Sequence, residues 1–300
     1  MKTARIPHLD KDISRLVCGT DWLMMTPPQD SFKILDAYVE AGGNCFDTGH
    51  IYGANSNILG AWLQNRHHGE KFVILTKGNH PYGTPRFTYA HTMVDILESF
   101  ARMGIERSDL YMFHRDDESV PVEEIVDWMN VIIKQGYITA YGGSNWRHER
   151  IAAANEYAAK SGKQGMSASS PNLTLADNVE PIWGGCLTIG EAGRTWHTET
   201  GLPIFSWSPA ARGYFAGTDE ADVLRAYDSG LSRERRERAG ELGRQKGLSA
   251  TQIALAWVMN QPFPTFVLSG LRKMSDLEQN LLIPDIELTA AEVRWLESGE

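Results

Sequence analysis

The sequence contains little cysteine, and its cysteines follow no pairing pattern. Cys18, Cys45 and Cys186 are odd in number and form no C-x-x-C pair. Such a set is typical of a reducing compartment rather than of a disulfide-stabilised secreted protein. Lys2 and Arg5 are not followed by an apolar run, so no secretory signal is predicted. We therefore expect a cytoplasmic protein.

Long apolar runs and an excess of positive charge are also lacking. No apolar run approaches the roughly 18 residues that a membrane-spanning helix requires. The net charge of −9 argues against a nucleic-acid partner and against an anionic membrane surface. The most basic run, residues 233–238, interleaves Arg with Glu, which is typical of a solvated helix face. We expect neither nucleic acid nor a membrane among the partners.

Two common cofactor motifs are missing as well. No H-E-x-x-H or C-x-x-C spacing supports a metal site, although Asp47, His50, His114, Asp116 and Asp117 offer the right atoms. We therefore expect no metal. No G-x-G-x-x-G motif follows a strand. That absence argues against a nicotinamide cofactor only in a doubly wound sheet, so its meaning depends on the fold.

Short apolar runs alternate with longer stretches of helical periodicity along the whole chain. This alternation predicts a parallel sheet, and eight units predict closure into a (β/α)8 TIM barrel. We expect one barrel domain over residues 1–300, a short N-terminal β-hairpin at 5–15, and long loops at the C-terminal face. The predicted strands are residues 16–19, 44–46, 72–76, 110–113, 138–142, 165–168, 202–207 and 265–268.

Polar side chains stand at the ends of successive predicted strands. Asp47 ends one strand and is followed by Tyr52, Lys77 ends the next, and His114 ends a third. Taken singly, a strand-end Asp or Lys is more often half of a structural ion pair, and a Tyr beside Gly is more often a packed turn residue. Barrel enzymes, however, carry their chemistry at the C-terminal ends of the strands. The succession therefore favours one shared site.

Six blocks in this order resemble the aldo-keto reductase superfamily over about residues 5–280. The resemblance implies an oxidoreductase that reduces an aldehyde or a ketone to an alcohol with a nicotinamide cofactor. The blocks are Phe46-Asp47-Thr48 with Tyr52-Gly53, Thr76-Lys77, Leu110-Tyr111 with His114, Gly142-Gly143-Ser144-Asn145, Trp207-Ser208-Pro209, and Gly270 with Leu277-Glu278-Gln279-Asn280.

The resemblance gives the strand-end residues catalytic roles. Tyr52 would donate the proton, and a phenol does so readily only if its pKa falls from about 10. The Lys77 ammonium would lower that pKa, and Asp47 would hold Lys77 charged and oriented. His114 would hydrogen-bond the carbonyl oxygen or the phenol. Asp47, Tyr52, Lys77 and His114 are thus the predicted catalytic residues.

The same resemblance places the cofactor across the strand ends, with NADP expected and NAD as the alternative. Arg272 is the candidate partner of a 2′-phosphate. Ser170 stands where the family usually has Gln, and its shorter side chain would weaken the hold on the carboxamide. The predicted cofactor residues are Ser144, Asn145 and Ser170 at the carboxamide, Trp207 at the nicotinamide ring, Ser208, Pro209, Gly213, Ser269, Gly270 and Arg272 at the phosphates, and Gln279 and Asn280 at the adenine.

The substrate is less well indicated. A small-molecule carbonyl or alcohol is expected, and a sugar or other polyhydroxy carbonyl fits an aromatic pocket mouth. Trp22, Trp146, Trp183 and Trp196 are candidates for that mouth, or equally for buried anchors. Two other functions stay open: a non-catalytic, cofactor-sensing subunit of a larger assembly, and a metal-dependent barrel hydrolase. The sequence does not indicate the oligomeric state.

Overall fold

A computed structural model describes residues 1–66 and 71–300, and the chain begins with an antiparallel hairpin. Strands β1 (Thr3–Ile6) and β2 (Leu9–Ser14) pair with each other and with no barrel strand. The apolar side chains of the hairpin, including Leu9 and Ile13, pack against the residues that fill the barrel. The predicted N-terminal hairpin is confirmed, and it covers the N-terminal end of the barrel.

Eight parallel strands close into a barrel, as predicted. The hydrogen-bonded order is β10-β3-β4-β5-β6-β7-β8-β9, so each strand neighbours the next one along the chain and β10 closes onto β3. The strands are β3 (Leu16–Gly19), β4 (Cys45–Asp47), β5 (Val73–Gly78), β6 (Ser108–Phe113), β7 (Ile138–Ser144), β8 (Ala168–Ser170), β9 (Ile204–Ser206) and β10 (Thr265–Gly270).

Strand β8 lies further along the chain than the predicted 165–168. The amides of residues 164 and 166 donate to helix side chains instead of to a neighbouring strand. The amide of Gln164 donates to Asn130 Oδ1 at 2.9 Å, and the amide of Met166 donates to Asn155 Oδ1 at 2.6 Å. The ladder therefore starts only at Ala168, which pairs with Gly142. The prediction of this strand was wrong by three residues at its start.

Helices surround the barrel. In the described part of the chain they are α1 (Pro28–Glu40), α2 (Ala54–Arg66), α3 (Tyr89–Met103), α4 (Val122–Lys134), α5 (His148–Lys160), α6 (Glu191–Thr200), α7 (Ala221–Tyr227), α8 (Gly230–Lys246), α9 (Ala250–Met259), α10 (Met274–Asn280) and α11 (Ala290–Ser298). No helix among the described residues is both long and apolar enough to cross a membrane.

The first and last helices, α1 and α11, show how the local sequence determines where a helix begins. Asp30 and Ser31 precede an apolar stretch of helical spacing and are residue types typical of an N-cap, but α1 begins at Pro28, a residue type that suits a first turn because it lacks an amide hydrogen. Ser31 lies inside the helix, and its hydroxyl donates to backbone carbonyls such as that of Pro27 at 3.3 Å. At α11 the sequence Thr289-Ala290-Ala291-Glu292 has the pattern of a capping box, and both hydrogen bonds of the box are present.

The barrel interior is apolar up to the level at which the polar strand ends begin. Strands buried on both faces read as continuous apolar runs, which is why they were visible in the sequence. Phe205 and Phe266 stack inside the barrel with their ring centres 4.3 Å apart. Polar residues stand at the C-terminal ends of the strands. They therefore lie on top of a tightly packed apolar interior. The interior also includes Val17, Cys45, Val73, Leu75, Leu110, Met112, Ala140, Ala168 and Leu268.

Candidate active site

A buried ion pair stands at the C-terminal ends of β4 and β5. The Lys77 ammonium donates to Asp47 Oδ1, and the two residues are only 3% and 4% exposed. Burial alone would lower the pKa of Lys77, but the adjacent Asp47 carboxylate raises it above its ordinary value. The pair is therefore charged, and it holds an ammonium group at a fixed position on the floor of the cavity.

Tyr52 and His114 complete a cluster around Lys77. A single turn of 3₁₀ helix, His50–Tyr52, follows β4 and carries Tyr52 over the barrel end. Lys77 Nζ lies 5.6 Å from the centre of the Tyr52 ring, and the rings of Tyr52 and His114 meet edge to face at 5.9 Å. A Cβ atom at Gly49 would lie 3.5 to 3.6 Å from atoms of all three side chains. The cluster therefore surrounds this glycine closely.

The pKa of Tyr52 differs from our expectation. Burial raises it to about 12, and the opposing effect of Lys77 is smaller than that of burial. The expected net fall below 10 is therefore wrong, because removing the phenol from water disfavours its charged form. Lys77 still lowers the pKa relative to burial alone. Tyr52 accordingly keeps its proton at neutral pH, the state that a proton donor needs.

His114 is neutral for the same kind of reason. Burial, followed by the positive charges of Lys77 and Arg115, holds the pKa of His114 well below its usual range. Its Nδ1 atom is buried and has no hydrogen-bond partner among the described residues. A neutral imidazole has one N–H to donate and one nitrogen to accept. His114 thus offers a hydrogen bond beside Tyr52 without adding a charge.

Ser144, Asn145 and Ser170 lie together where β7 and β8 end. The Ser144 hydroxyl donates to the Ser170 carbonyl at 2.9 Å, and the Asn145 amide side chain donates to the His114 carbonyl at 3.2 Å. Asn145 also accepts from the backbone of Leu187 at 3.0 Å, so its side chain is held on both sides. Ser144 and Asn145 line the cavity, whereas Ser170 lies behind them. The Ser170 hydroxyl is buried without a partner among the described residues.

One cavity of about 490 Å³ joins this cluster to the far side of the barrel mouth. Its far wall comes from the segments after β9 and β10 and from α10. Asn280 Nδ2 donates to Ser269 Oγ at 2.7 Å, which ties α10 to the end of β10. Except for Ser170, every predicted site residue lines this cavity, namely Asp47, Tyr52, Lys77, His114, Ser144, Asn145, Trp207, Ser208, Pro209, Gly213, Ser269, Gly270, Arg272, Gln279 and Asn280.

The four tryptophans predicted for the cavity mouth separate into two groups. Trp183 lines the cavity and is 47% exposed, with Arg212 stacked at 4.9 Å from its ring centre. Trp22 and Trp146 are fully buried, and Trp196 packs against the His197 ring on α6. Only Trp183 therefore has the expected position. Its loop had no periodicity that could distinguish it from the others.

Several cavity residues were missed by sequence reasoning. Arg115 directly follows the predicted His114, and its position in the chain was the one available signal. Arg212 lies within residues 208–213, the stretch predicted at the phosphates, but its left-handed backbone conformation with φ of 52° is not revealed by the sequence. The other missed lining residues include Thr20, Asp21, Cys186, Glu220 and Thr251.

Four of the five residues considered for a metal site have other partners. Asp116 pairs with Arg150 at 2.7 Å, and His50 bonds Glu98 at 2.7 Å. Within residues 1–66 and 71–300, no group of three or more His, Cys, Asp or Glu side chains is arranged to hold a metal ion.

Comparisons with known proteins agree with the geometry. The sequence model of the aldo/keto reductase family matches residues 15–299. An aryl-alcohol dehydrogenase [NADP(+)] of Phanerodontia chrysosporium is 26% identical over 89% of this chain and 74% of its own length. The uncharacterized oxidoreductase YrpG of Bacillus subtilis is 26% identical over 95% and 91%. A crystallised thermostable aldo-keto reductase, solved with the inhibitor epalrestat, shares the fold with a TM-score of 0.76 at 19% identity, covering 99% of both chains.

Proposed function

The chain belongs to the aldo/keto reductase family, and we propose that it reduces an aldehyde or ketone with NADPH, with Tyr52 as the proton donor. The observation that carries this proposal is the convergence of Tyr52, Lys77, Asp47 and His114 on one cavity. Family membership makes the protein a nicotinamide-dependent oxidoreductase. The choice of NADP, the role of Tyr52 and the kind of substrate are our proposals.

In the proposed reaction the cofactor supplies the hydride and the protein supplies the proton. When bound, the nicotinamide supplies a hydride to the carbonyl carbon. Tyr52 donates its hydroxyl proton to the carbonyl oxygen, and His114 hydrogen-bonds that oxygen while it gains negative charge. The Lys77 ammonium stabilises the tyrosinate that remains, and Asp47 keeps Lys77 in place. The alcohol product then carries the hydride on carbon and the tyrosine proton on oxygen.

The far wall of the cavity fits a dinucleotide. Trp207 lines it, and its indole N–H is buried without a partner among the described residues. Arg272 also lines the wall and is exposed, and no described carboxylate pairs with it. A guanidinium in that state suits a phosphate group. Together with the relative named for NADP(+), this supports NADP over NAD.

Cofactor choice is tested by titrating the protein with NADPH and NADH side by side. We expect NADPH to bind more tightly, and Arg272→Met to weaken NADPH by about tenfold or more while leaving NADH nearly unchanged. Lys273→Met is the matched control, since Lys273 is the adjacent exposed cation and does not line the cavity. Equal affinity for both cofactors in the unaltered protein would contradict the proposal.

An aryl aldehyde is the substrate that the mouth of the cavity supports best. The half-exposed ring of Trp183 would pack against an aromatic ring, and a relative is named for aryl alcohols. A sugar or other polyhydroxy carbonyl also packs on such a face and is the alternative. Turnover of NADPH with benzaldehydes, compared with aldoses, separates the two classes. A chelator should leave this turnover unchanged.

The same assay separates catalysis from cofactor sensing. If the protein binds NADPH but no aldehyde or ketone in a broad panel oxidises it, the non-catalytic subunit becomes the better account. Oxidation of NADPH that depends on both protein and carbonyl compound would support the reductase.

A further inference from the structure

Arg115 is a rigidly held cation at the end of the cavity where the carbonyl would react. It follows His114 at the end of β6, is half-buried, and lines the cavity together with Tyr52 and Lys77. Its Nη1 atom donates to the His114 carbonyl at 2.8 Å, and its Nη2 atom lies 3.2 Å from Cys186 Sγ. The guanidinium is therefore fixed in place, with N–H groups to spare.

Arg115 has no acidic partner among the described residues, whereas the other cations that line the catalytic end of the cavity do. Lys77 pairs with Asp47, and Arg212 lies 4.0 Å from Glu220. Across residues 1–66 and 71–300, no carboxylate forms an ion pair with Arg115. Asp116, the next residue, is engaged by Arg150. A partly desolvated guanidinium without a counter-ion is costly, and its planar fork matches a carboxylate.

The barrel order places Arg115 on the substrate side. The proposed cofactor residues lie at the ends of β7 to β10 and on α10, whereas Arg115 follows β6, outside that arc and beside β5, which carries Lys77. Asp21, one of several acids that line the cavity, follows β3, three strands away in the closed barrel. An anion at Arg115 would therefore lie across the barrel mouth from Asp21.

We propose that the substrate is a carbonyl compound bearing a carboxylate, and that Arg115 binds this carboxylate. The inference rests on the proposed reductase function and specifies its substrate class. The Arg115 Cδ atom packs 3.2 Å from the position that a Cβ on Gly185 would occupy, so Arg115 also braces the loop that begins with Trp183. An aromatic aldehyde that bears a carboxylate could thus pack its ring against Trp183 and place its carboxylate on Arg115.

The test compares 2-, 3- and 4-carboxybenzaldehyde with their neutral methyl esters as substrates. We expect the unaltered enzyme to show a higher kcat/KM for at least one acid than for its ester. Arg115→Gln, which keeps a donor for the His114 carbonyl but removes the charge, should lower kcat/KM for that acid by roughly ten- to a hundredfold and leave the ester nearly unchanged. Arg115→Lys should retain part of the preference.

A control variant removes a cation outside the cavity. Arg147→Gln changes an exposed side chain that does not line this cavity, so it should leave both substrates unaffected. Two results would overturn the inference: an equal loss for acid and ester in Arg115→Gln, which indicates a positioning role alone, or a preference of the unaltered enzyme for every ester. Absence of turnover with all six compounds and with simple aldehydes would instead reject the reductase function itself.

Discussion

The Lys77 ammonium contacts two groups at once, donating to the Asp47 carboxylate while lying 5.6 Å from the centre of the Tyr52 ring. This arrangement separates two tasks. Asp47 keeps the amine charged within an apolar barrel, and the amine then favours a negative charge on Tyr52 only when the proton leaves. The site can therefore hold a protonated phenol at rest and still support its deprotonation during the reaction.

Replacing Lys77 by Met should affect both activity and stability. The Asp47 carboxylate would remain buried without a partner, which typically costs about 3–5 kcal/mol of unfolding free energy. Urea denaturation would measure the loss, and turnover should become undetectable. The double variant Asp47→Asn/Lys77→Met should recover much of the stability and none of the activity. Equal destabilisation in the single and double variants would contradict the ion-pair account.

The rate of carbonyl reduction should vary little with pH near neutrality. Tyr52, with a pKa of about 12, keeps its proton, and His114, with a pKa well below its usual range, stays neutral. Neither group changes its charge between about pH 7 and 9, so kcat for reduction should be nearly flat there. Stopped-flow measurement with saturating cofactor would check this. A step in the profile centred near 7, lost in His114→Gln, would show that His114 titrates in that range.

The close approach of β7 and β8 gives a prediction about stability alone. A Cβ at Gly142 would lie 2.2 Å from the carbonyl oxygen of Ala168, a backbone atom that cannot move aside without disturbing the barrel. Gly142→Ala should therefore lower the unfolding free energy by about 1–3 kcal/mol. Gly230→Ala is the control, because Gly230 is exposed and has no atom of this kind within 4 Å. Similar melting temperatures for both variants would refute the steric argument.

Most strands of the barrel could be predicted from the sequence, but strand β8 could not be placed correctly. Strands such as β5 and β6 were predictable because burial on both faces requires continuous apolar runs, and polar residues at their ends identified the catalytic face. Strand β8 has the sequence Ala168-Ser169-Ser170 and no apolar run, so its start was misplaced. Its boundary depends on two side chains, Asn130 of α4 and Asn155 of α5, whose contacts with this segment form only in the folded chain.

Electrostatic detail was also out of reach of the sequence. The order of residues suggested that Lys77 would act on Tyr52, but the pKa of Tyr52 depends on how far the folded chain removes the phenol from water. Likewise, nothing in the composition separates exposed Trp183 from buried Trp22. Both properties arise from tertiary packing, so a single sequence does not contain a local signal for them.

The most direct test of the account removes the proton donor and keeps its ring. Tyr52→Phe should bind NADPH as tightly as the unaltered protein, as followed by nicotinamide fluorescence. Its rate of aldehyde reduction at saturating cofactor should fall by at least about a hundred- to ten-thousand-fold. Retention of cofactor binding with loss of turnover is the predicted result, and turnover within a fewfold of the unaltered enzyme would contradict the central claim.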